Sequence, residues 1–333
     1  MRRKIFIGCD VSKDTLDFVV RSSQSVLMQT QIENSQQAIR RFKLQLGDLV
    51  SDAILVCEYT GIYTSHLLME WHNSGMDIAL VTGTDVRRAF GTLRGKTDAM
   101  DAMRISEYAL RFTDKLKCWT PPRKVITQLQ HLTVLRDRLI KAQVQLKVPL
   151  QEARAFLDPS LVRSMEKYSA KPLAALKTQI AAIEETIDRL ISEDAELSQL
   201  NARIQSVPGI GKVTATELLI RTNEFKSFTS AKQLACHAGV APFPYTSGSS
   251  IQGKTRVSHK ANKRMKTLLH MAAMNAVRNP GELQEYYQKK VNAGKNKMSA
   301  LNAVRNKLIH RVFAVVRDGV IYQKNYQIKF AVT

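Results

Sequence analysis

Two short apolar runs, each followed at once by an acidic residue, constrain the fold of this chain most strongly. Residues 4–9 (KIFIGC) end just before Asp10, and residues 53–57 (AILVC) end just before Glu58. Runs of this length and composition are typical of strands that are buried inside a sheet. We therefore expect a sheet in the N-terminal region, with a carboxylate at the end of each of these two strands.

The segments around these runs alternate between strand-like and helix-like patterns. Short apolar runs predict strands, and apolar spacings of three and four residues predict helices between them. This order predicts an α/β domain over residues 1–122, in which helices cover a sheet. The predicted strands are residues 4–9, Thr15–Arg21, 53–57 and Asp77–Val81, and the predicted helices are residues 35–46, 63–74 and 97–112.

A helical segment over residues 123–198 follows the Pro121-Pro122 pair. Two long helices are predicted at residues 125–156 and 172–197. The spacing of the apolar stripe on the second helix resembles a coiled-coil seam. This apolar stripe fits a subunit interface and a helical hairpin packed on its own domain equally well. The stripe consists of Leu173, Leu176, Ile180, Ile183, Ile187, Leu190 and Ile191.

The remaining residues, 199–333, predict a mainly α-helical domain. It begins with a Val-Pro-Gly-Ile-Gly turn that ends at Gly211, and residues 241–253 are rich in turn-forming residues. The patterns between and after these segments have helical spacing. The predicted helices are residues 214–221, 231–238, 260–278 and 299–316.

The charge of the chain restricts its partners. Lys and Arg number 50 against 29 acidic residues, which gives a net charge of +21. Such a field attracts polyanions, meaning nucleic acid or an anionic membrane surface. No apolar stretch of about 18 residues exists, so we expect no membrane span. The four cysteines are scattered and show no metal-binding spacing, which favours a reducing cytoplasm.

Four acidic residues occupy the positions that a two-metal site needs. Asp10 and Glu58 follow predicted strands, and Asp98 and Asp101 lie three residues apart on one face of a predicted helix. Clustered carboxylates of this kind bind Mg²⁺ or Mn²⁺, and two such ions can support cleavage of a phosphodiester. Each acid alone could equally be structural, as a turn cap or a first-turn helix residue.

A serine-rich turn in the last domain is a candidate for a nucleophile. Residues 247–250 read Ser-Gly-Ser-Ser, and residues 252–311 carry fourteen Lys or Arg against two acids, Glu282 and Glu285. That charge pattern is expected of a surface that binds phosphates. An isolated serine is a poor nucleophile, and no hydrolase motif surrounds Ser247. A plain flexible turn is the alternative.

The residues that we expect to bind nucleic acid lie in two places. Gly209, Gly211 and Lys212 resemble a helix-hairpin-helix turn, whose backbone N–H groups can approach a phosphate. An ordinary Pro-Gly turn before a helix is the alternative. The remaining candidates belong to the basic region and are Lys254, Arg256, Lys260, Lys263 and Arg264.

Three N-terminal motifs resemble one family. They are Ile7-Gly-Cys-Asp10-Val-Ser-Lys, Cys57-Glu-Tyr-Thr-Gly61 and Arg94-Gly-Lys-Thr-Asp98-Ala-Met-Asp101. These look like the DEDD domain of the transposases of the insertion-sequence one-ten and eleven-eleven group, relatives of the Piv/MooV invertases. That domain is RNase-H-like and similar to RuvC. The resemblance implies that Asp10, Glu58, Asp98 and Asp101 are the metal ligands, and that Asp14 and Asp17 are not.

The C-terminal half resembles the same family. Gly239-Val-Ala-Pro242 followed by Ser247-Gly-Ser-Ser250 looks like its transposase domain. The resemblance implies that Ser247 is the nucleophile and forms a phosphoserine with DNA, with Ser249 and Ser250 as alternatives. It also implies a homo-oligomer in which the quartet of one subunit meets Ser247 of another. A non-coding guide RNA that pairs with donor and target DNA, and a prokaryotic cytoplasm, are further implications.

Three other functions compete with this one. A RuvC-like nuclease would hydrolyse DNA with the same acids and no serine. A non-catalytic nucleic-acid-binding protein would use the acids for structure only. Ile7-Gly-Cys-Asp10 also suits a sugar-kinase-like ATPase, but no later Gly-rich phosphate motif supports that function.

Overall fold

The structure is a computed structural model that describes residues 4–91, 97–247, 251–257 and 261–324. The chain divides into two compact units, Met1–Pro121 and Pro122–Thr333. The boundary falls at the Pro121-Pro122 pair. The second unit contains both the helical segment 123–198 and the C-terminal helices, which we keep as distinct parts in our proposed domain division.

A five-stranded mixed sheet forms the centre of the first unit. The strand order is β3-β2-β1-β4-β5, with β1 antiparallel to β2, β2 antiparallel to β3, and β1, β4 and β5 parallel. The four predicted strands are confirmed, and the arrangement is consistent with an RNase-H-like domain. The bounds are β1 Ile5–Val11, β2 Thr15–Arg21, β3 Val26–Glu33, β4 Ala53–Glu58 and β5 Asp77–Val81.

Strand β3 was not predicted. It is the edge strand, and its side chains alternate between exposed and half-buried positions. A strand of this kind carries no apolar run, because only one of its faces packs against other residues and even that face is partly open to water. Its pairing with β2 therefore depends on a partner strand that a local pattern does not reveal.

Helices cover both faces of the sheet. On one face Phe18, Phe42 and Trp71 are buried together, and the rings of Phe18 and Phe42 stack with centroids 4.2 Å apart. On the other face, α4 packs Ile105 and Ala109 against strand residues. The helix bounds are α1 Gln36–Leu46, α2 Ser65–His72, α3 Gly83–Phe90 and α4 Asp98–Arg111.

The second unit is mainly helical, as predicted. None of the helices in the described part of the chain is long and apolar enough to cross a lipid bilayer. The short helix α11 was not predicted. The bounds are α5 Lys124–Phe156, α6 Pro159–Glu193, α7 Ala195–Gln205, α8 Lys212–Thr222, α9 Ala231–His237, α10 Lys263–Arg278, α11 Glu282–Asn292 and α12 Lys297–Arg317.

The second long helix begins earlier than the sequence suggested. It starts at Pro159, where the side chain of Asp158 accepts a hydrogen bond from the N–H of Ser160, and it continues through Pro172. Proline suits the first turn of a helix, because its missing N–H would lack a partner there anyway. The predicted start of this helix, Pro172, lies in the helix interior.

Part of the predicted apolar stripe of α6 packs within its own unit. Ile187 and Ile191 share a core with Ile126 and Leu129 of α5 and with residues of the C-terminal helices, such as Leu308. This packing fixes the inner end of the α5–α6 hairpin. A subunit interface along the rest of the hairpin stays a prediction.

The segment that was predicted as turn-rich contains most of a β-hairpin. Strand β6, Pro242–Ser247, pairs antiparallel with β7, Ile251–Val257. Two prolines and several small polar residues made these strands look like loop, since Pro and Gly are rare in strand interiors. The hydrogen bonds between the two strands stabilise them in spite of that composition.

Candidate active site and nucleic-acid interface

Asp10 and Glu58 lie at the same level on neighbouring parallel strands. Cys9 of β1 pairs in register with Cys57 of β4, and the two acids are the next residues along each strand. The carboxylate of Glu58 lies against Gly83 at the start of α3. A Cβ atom at Gly83 would be 2.3 Å from Oε2 of Glu58, so a larger residue there would require the Glu58 carboxylate to move.

Helix α4 brings Asp98 and Asp101 to the same region. Thr97 caps the helix by accepting a hydrogen bond from the N–H of Met100, so both acids fall in the first turn. A Cβ atom at Gly8 of β1 would be 2.3 Å from the carbonyl oxygen of Ala102, which means that helix and strand touch backbone to backbone. This contact holds the first turn of α4 beside the end of β1.

Asp10 lies in the electrostatic field of the other acids. The pKa of Asp10 is raised to about 6, first by burial and then by the charges of Asp101, Asp98, Asp17 and Glu58, in that order. Like charges disfavour ionisation of a neighbouring carboxyl, so the effect shows that these groups are close. The structure thus places Glu58, Asp98 and Asp101 within electrostatic range of Asp10.

A fifth acid lies in this cluster. Asp17 of β2 faces Asp10 directly across the antiparallel pair, and both its carboxylate oxygens accept from Nε2 of Gln31 at 3.1 Å. Asp17 is only 8% exposed. The resemblance had excluded it from the site. An aspartate inside the otherwise apolar strand TLDFVVR was the sequence signal that could have drawn attention to it.

The donor set suits a hard divalent cation. In the described residues no three Asp, Glu, His or Cys side chains converge closely enough to hold a metal ion in this arrangement. Asp101 accepts a hydrogen bond of 2.7 Å from Nη1 of Arg104. Oxygen ligands of this kind fit Mg²⁺ or Mn²⁺.

Ser247 is the last residue of β6 and pairs with Ile251 of β7. It therefore stands where the hairpin strand ends and the connection to β7 begins. The two alternative serines, Ser249 and Ser250, lie outside the described residues.

The Gly-rich turn before α8 has two different glycines. Gly209 has a φ of +93°, and a Cβ atom there would be 2.6 Å from the carbonyl oxygen of Ala272, so it serves packing against α10. Gly211 borders open space, and the N–H groups that follow it in α8 have no side-chain cap. Lys212 Nζ lies 2.6 Å from a carboxylate oxygen of Asp188. The turn therefore leaves the start of α8 open to a phosphate.

The basic candidates have different environments. Lys263 is exposed in the first turn of α10. Arg264 forms ion pairs with Asp137 and with Glu217, whose carboxylate is 2% exposed, so we leave Arg264 out of the proposed interface. Lys254 and Arg256 belong to β7, and Lys260 lies outside the described residues.

Two family models match the chain. A model of the DEDD-type IS110 transposase domain, described as "Transposase", matches residues 7–158. A second model, described as "Transposase IS116/IS110/IS902 family", matches residues 201–288. Together they cover more than two thirds of the chain. The DEDD domain implies dependence on a divalent metal.

Curated relatives extend over nearly the whole chain. The pilin gene-inverting protein of Moraxella bovis is 26% identical over 335 residues, covering 96% of this chain and 98% of the relative. The transposase for insertion sequence element IS1111A of Coxiella burnetii is 22% identical over 95% of this chain and 91% of its own. An uncharacterised 44.8 kDa protein of insertion element IS116 from Streptomyces clavuligerus is 26% identical over 74% and 78%. The chain belongs to the IS116/IS110/IS902 family of DNA transposases.

Proposed function

We propose that this protein cuts and rejoins DNA as the transposase of an insertion sequence, through a covalent phosphoserine at Ser247. Asp10, Glu58, Asp98 and Asp101 hold two Mg²⁺ or Mn²⁺ ions. The observation that carries the proposal is the grouping of these acids around Asp10, whose pKa all of them raise. Bound divalent ions would stabilise the negative charge that develops on the phosphate oxygens.

The bonds of the proposed step balance without a co-reactant. Oγ of Ser247 attacks phosphorus and gives up its proton to solvent or a nearby base. A new Oγ–P bond forms as the bond from phosphorus to a deoxyribose oxygen breaks, and that oxygen takes up a proton. The phosphodiester becomes a phosphoserine ester, so a second DNA hydroxyl can reverse the step and rejoin strands without ATP.

The chain's own residues fix the geometry of the acids. Asp10 and Glu58 are held by the hydrogen bonds between the parallel strands β1 and β4. The backbone contact of Gly8 with α4 sets the position of Asp101. A site built on strands and a packed helix keeps its ligands in place more reliably than a site built on loops.

The partners that we propose follow the family resemblance. They are donor and target DNA, a non-coding guide RNA and further copies of the chain. Each active site would combine the acids of one subunit with Ser247 of another. The net charge of +21 supports a polyanionic partner of either kind. Acting on DNA of a prokaryotic element, the protein would work in the cytoplasm.

Mapping a protein–DNA adduct tests the proposal. Wild-type protein is incubated with element-end DNA and Mg²⁺, quenched with denaturant and digested, and we expect a nucleotide-bearing peptide that contains Ser247. Ser247→Ala should lose the adduct, cleavage and strand exchange while keeping nucleic-acid binding. Ser227→Ala, a change at an exposed serine of the same unit, is the matched control and should keep all four.

The other outcomes separate the alternatives. An adduct on Ser249 or Ser250 would keep the mechanism and move the nucleophile. Cleavage at the normal rate by Ser247→Ala, without any adduct, would show a RuvC-like hydrolytic nuclease instead.

A further inference from the structure

The second unit buries a positive charge that forms no ion pair with any residue that the structure describes. Arg305 of α12 is only 6% exposed, and its Nε has no hydrogen-bond partner. Burial lowers its pKa. In the part of the chain that the structure describes, no carboxylate forms an ion pair with it. The other residues of the chain include no Asp or Glu. Burying an unpaired ion is costly, so such a residue is kept where a function needs it.

Among the described residues, the one hydrogen-bond partner of Arg305 is a histidine. Nη2 of Arg305 lies 2.5 Å from Nδ1 of His270 on α10. Arginine has only donors, so Nδ1 must accept, and the ring proton is then on Nε2. Burial and the charge of Arg305 both lower the pKa of His270, which keeps this neutral tautomer. His270 is half-buried, and its Nε2–H has no described partner.

The surroundings of His270 are suited to an anion. Helix α10 contains no acidic residue. Lys263, Lys266 and His270 are spaced by three and four residues and so share one face of the helix. A face with two ammonium groups and a neutral N–H donor, backed by a buried guanidinium, attracts a negatively charged oxygen.

This face lies near the root of the β6–β7 hairpin. Asn302, one turn before Arg305 on the same face of α12, donates from Nδ2 to the carbonyl oxygen of Val240 at 2.8 Å. Val240 is two residues before Pro242, where β6 begins. Arg305 therefore lies one helical turn from a residue that contacts the segment leading to Ser247.

We propose that His270, with Arg305 behind it, forms a binding site for a phosphodiester group of the bound nucleic acid. His270 donates from Nε2–H to a phosphate oxygen, and Arg305 fixes the tautomer and supplies positive charge. The inference rests on the proposed function, because it needs nucleic acid as a partner. It goes further by assigning a contact to residues that sequence motifs did not select.

Two substitutions at His270 separate its two nitrogens. In His270→Asn the side chain can still accept from Arg305, but the outer donor is lost. In His270→Gln an amide donor can replace Nε2–H, but the acceptor for Arg305 is displaced. Affinity is measured by fluorescence anisotropy with a labelled random-sequence DNA duplex and, in parallel, with a labelled single-stranded RNA. Melting temperature is recorded for each variant.

We expect His270→Asn to bind at least about tenfold more weakly, the usual effect of losing a hydrogen bond to a charged group. His270→Gln should bind more tightly than His270→Asn despite a lower melting temperature. If the substitution weakens binding to only one of the two nucleic acids, that nucleic acid is the one that supplies the phosphate. His310→Asn, a change at an exposed histidine of α12, is the matched control and should bind as the wild type does.

A third variant tests the proposal even if the His270 variants fail to fold. Arg305→Met removes the buried charge, so it should keep or raise the melting temperature while weakening binding. Folded His270→Asn and Arg305→Met proteins with wild-type affinity would overturn the inference and leave the proposed function intact. A wild type that binds neither DNA nor RNA would overturn both.

Discussion

Gly8 of β1 and Ala102 of α4 are in direct backbone contact: a Cβ atom at Gly8 would lie 2.3 Å from the carbonyl oxygen of Ala102 and 2.3 Å from the backbone nitrogen of Ser106. The contact lies two residues before Asp10 in one element and one residue after Asp101 in the other. The distance between sheet and helix at this point therefore sets how close the two acids are.

Gly8→Ala should separate α4 from the sheet. We expect a loss of stability of about 1–3 kcal/mol, typical of overpacking, together with a loss of metal-dependent cleavage because the acids move apart. Urea unfolding and a cleavage assay measure the two effects. Gly211→Ala is the control for stability, since a Cβ there meets nothing within 4 Å, and its cost should be limited to the poorer N-cap that alanine gives α8, about 0.5–1 kcal/mol. Equal effects of the two substitutions would contradict this account of Gly8.

Removing one carboxylate of the quartet should abolish cleavage. Asp10→Asn, Glu58→Gln, Asp98→Asn and Asp101→Asn each delete a proposed metal ligand, and chelation of Mg²⁺ should have the same effect as any of them. Cleavage of element-end DNA is the measurement, and nucleic-acid binding should persist in every variant.

Asp14→Asn is the matched control for these four variants. Asp14 is exposed and lies four residues from Asp10, so the substitution changes the charge equally without touching the quartet. Its activity should equal that of the wild type. Full activity in a quartet variant would remove that residue from the site.

Lys263 and Arg264, neighbours on α10, should differ in their effects on nucleic-acid binding and on stability. Lys263→Gln should reduce the slope of log affinity against log salt by about 0.9, because one phosphate contact is lost. Arg264→Gln should leave the slope unchanged and lower stability by about 1–3 kcal/mol, since buried Glu217 loses a partner. Binding titrations at several salt concentrations and urea unfolding test both effects. The reverse pattern would place Arg264 on the interface.

The first unit should lose stability in acid partly through Glu70. Nε and Nη2 of Arg40 donate to its two carboxylate oxygens at 2.8 and 2.7 Å, and this pairing lowers the pKa of Glu70 below its usual 4.5. A lowered pKa stabilises the fold at pH values above 4.5, and the contribution is lost as pH falls through the folded-state pKa. The melting temperatures of wild type and Glu70→Gln should therefore differ at neutral pH and converge in acid. Exposed Glu33→Gln should follow the wild type at every pH, and a constant gap for Glu70→Gln would refute the assignment.

Local sequence patterns predicted the strands whose burial requires an apolar composition. The apolar runs of β1 and β4 must be buried, because exposing them to water is unfavourable. The acids that follow these runs could therefore be predicted to lie at the ends of strands. Strand β3 and the β6–β7 hairpin escaped prediction because their stability comes from pairing with another segment. That pairing leaves little trace in the composition of either partner.

The sequence by itself determined the mixed α/β and helical organisation, the acids at strand and helix ends, and the basic charge, because each follows from local composition and spacing. Only the tertiary structure decided which of these residues meet. It placed Asp17 opposite Asp10, turned Arg264 toward Glu217, and buried Arg305 behind His270. The physical reason is that strand register and helix packing join residues far apart in the chain, and the resulting charge and burial cannot be inferred from either neighbour alone.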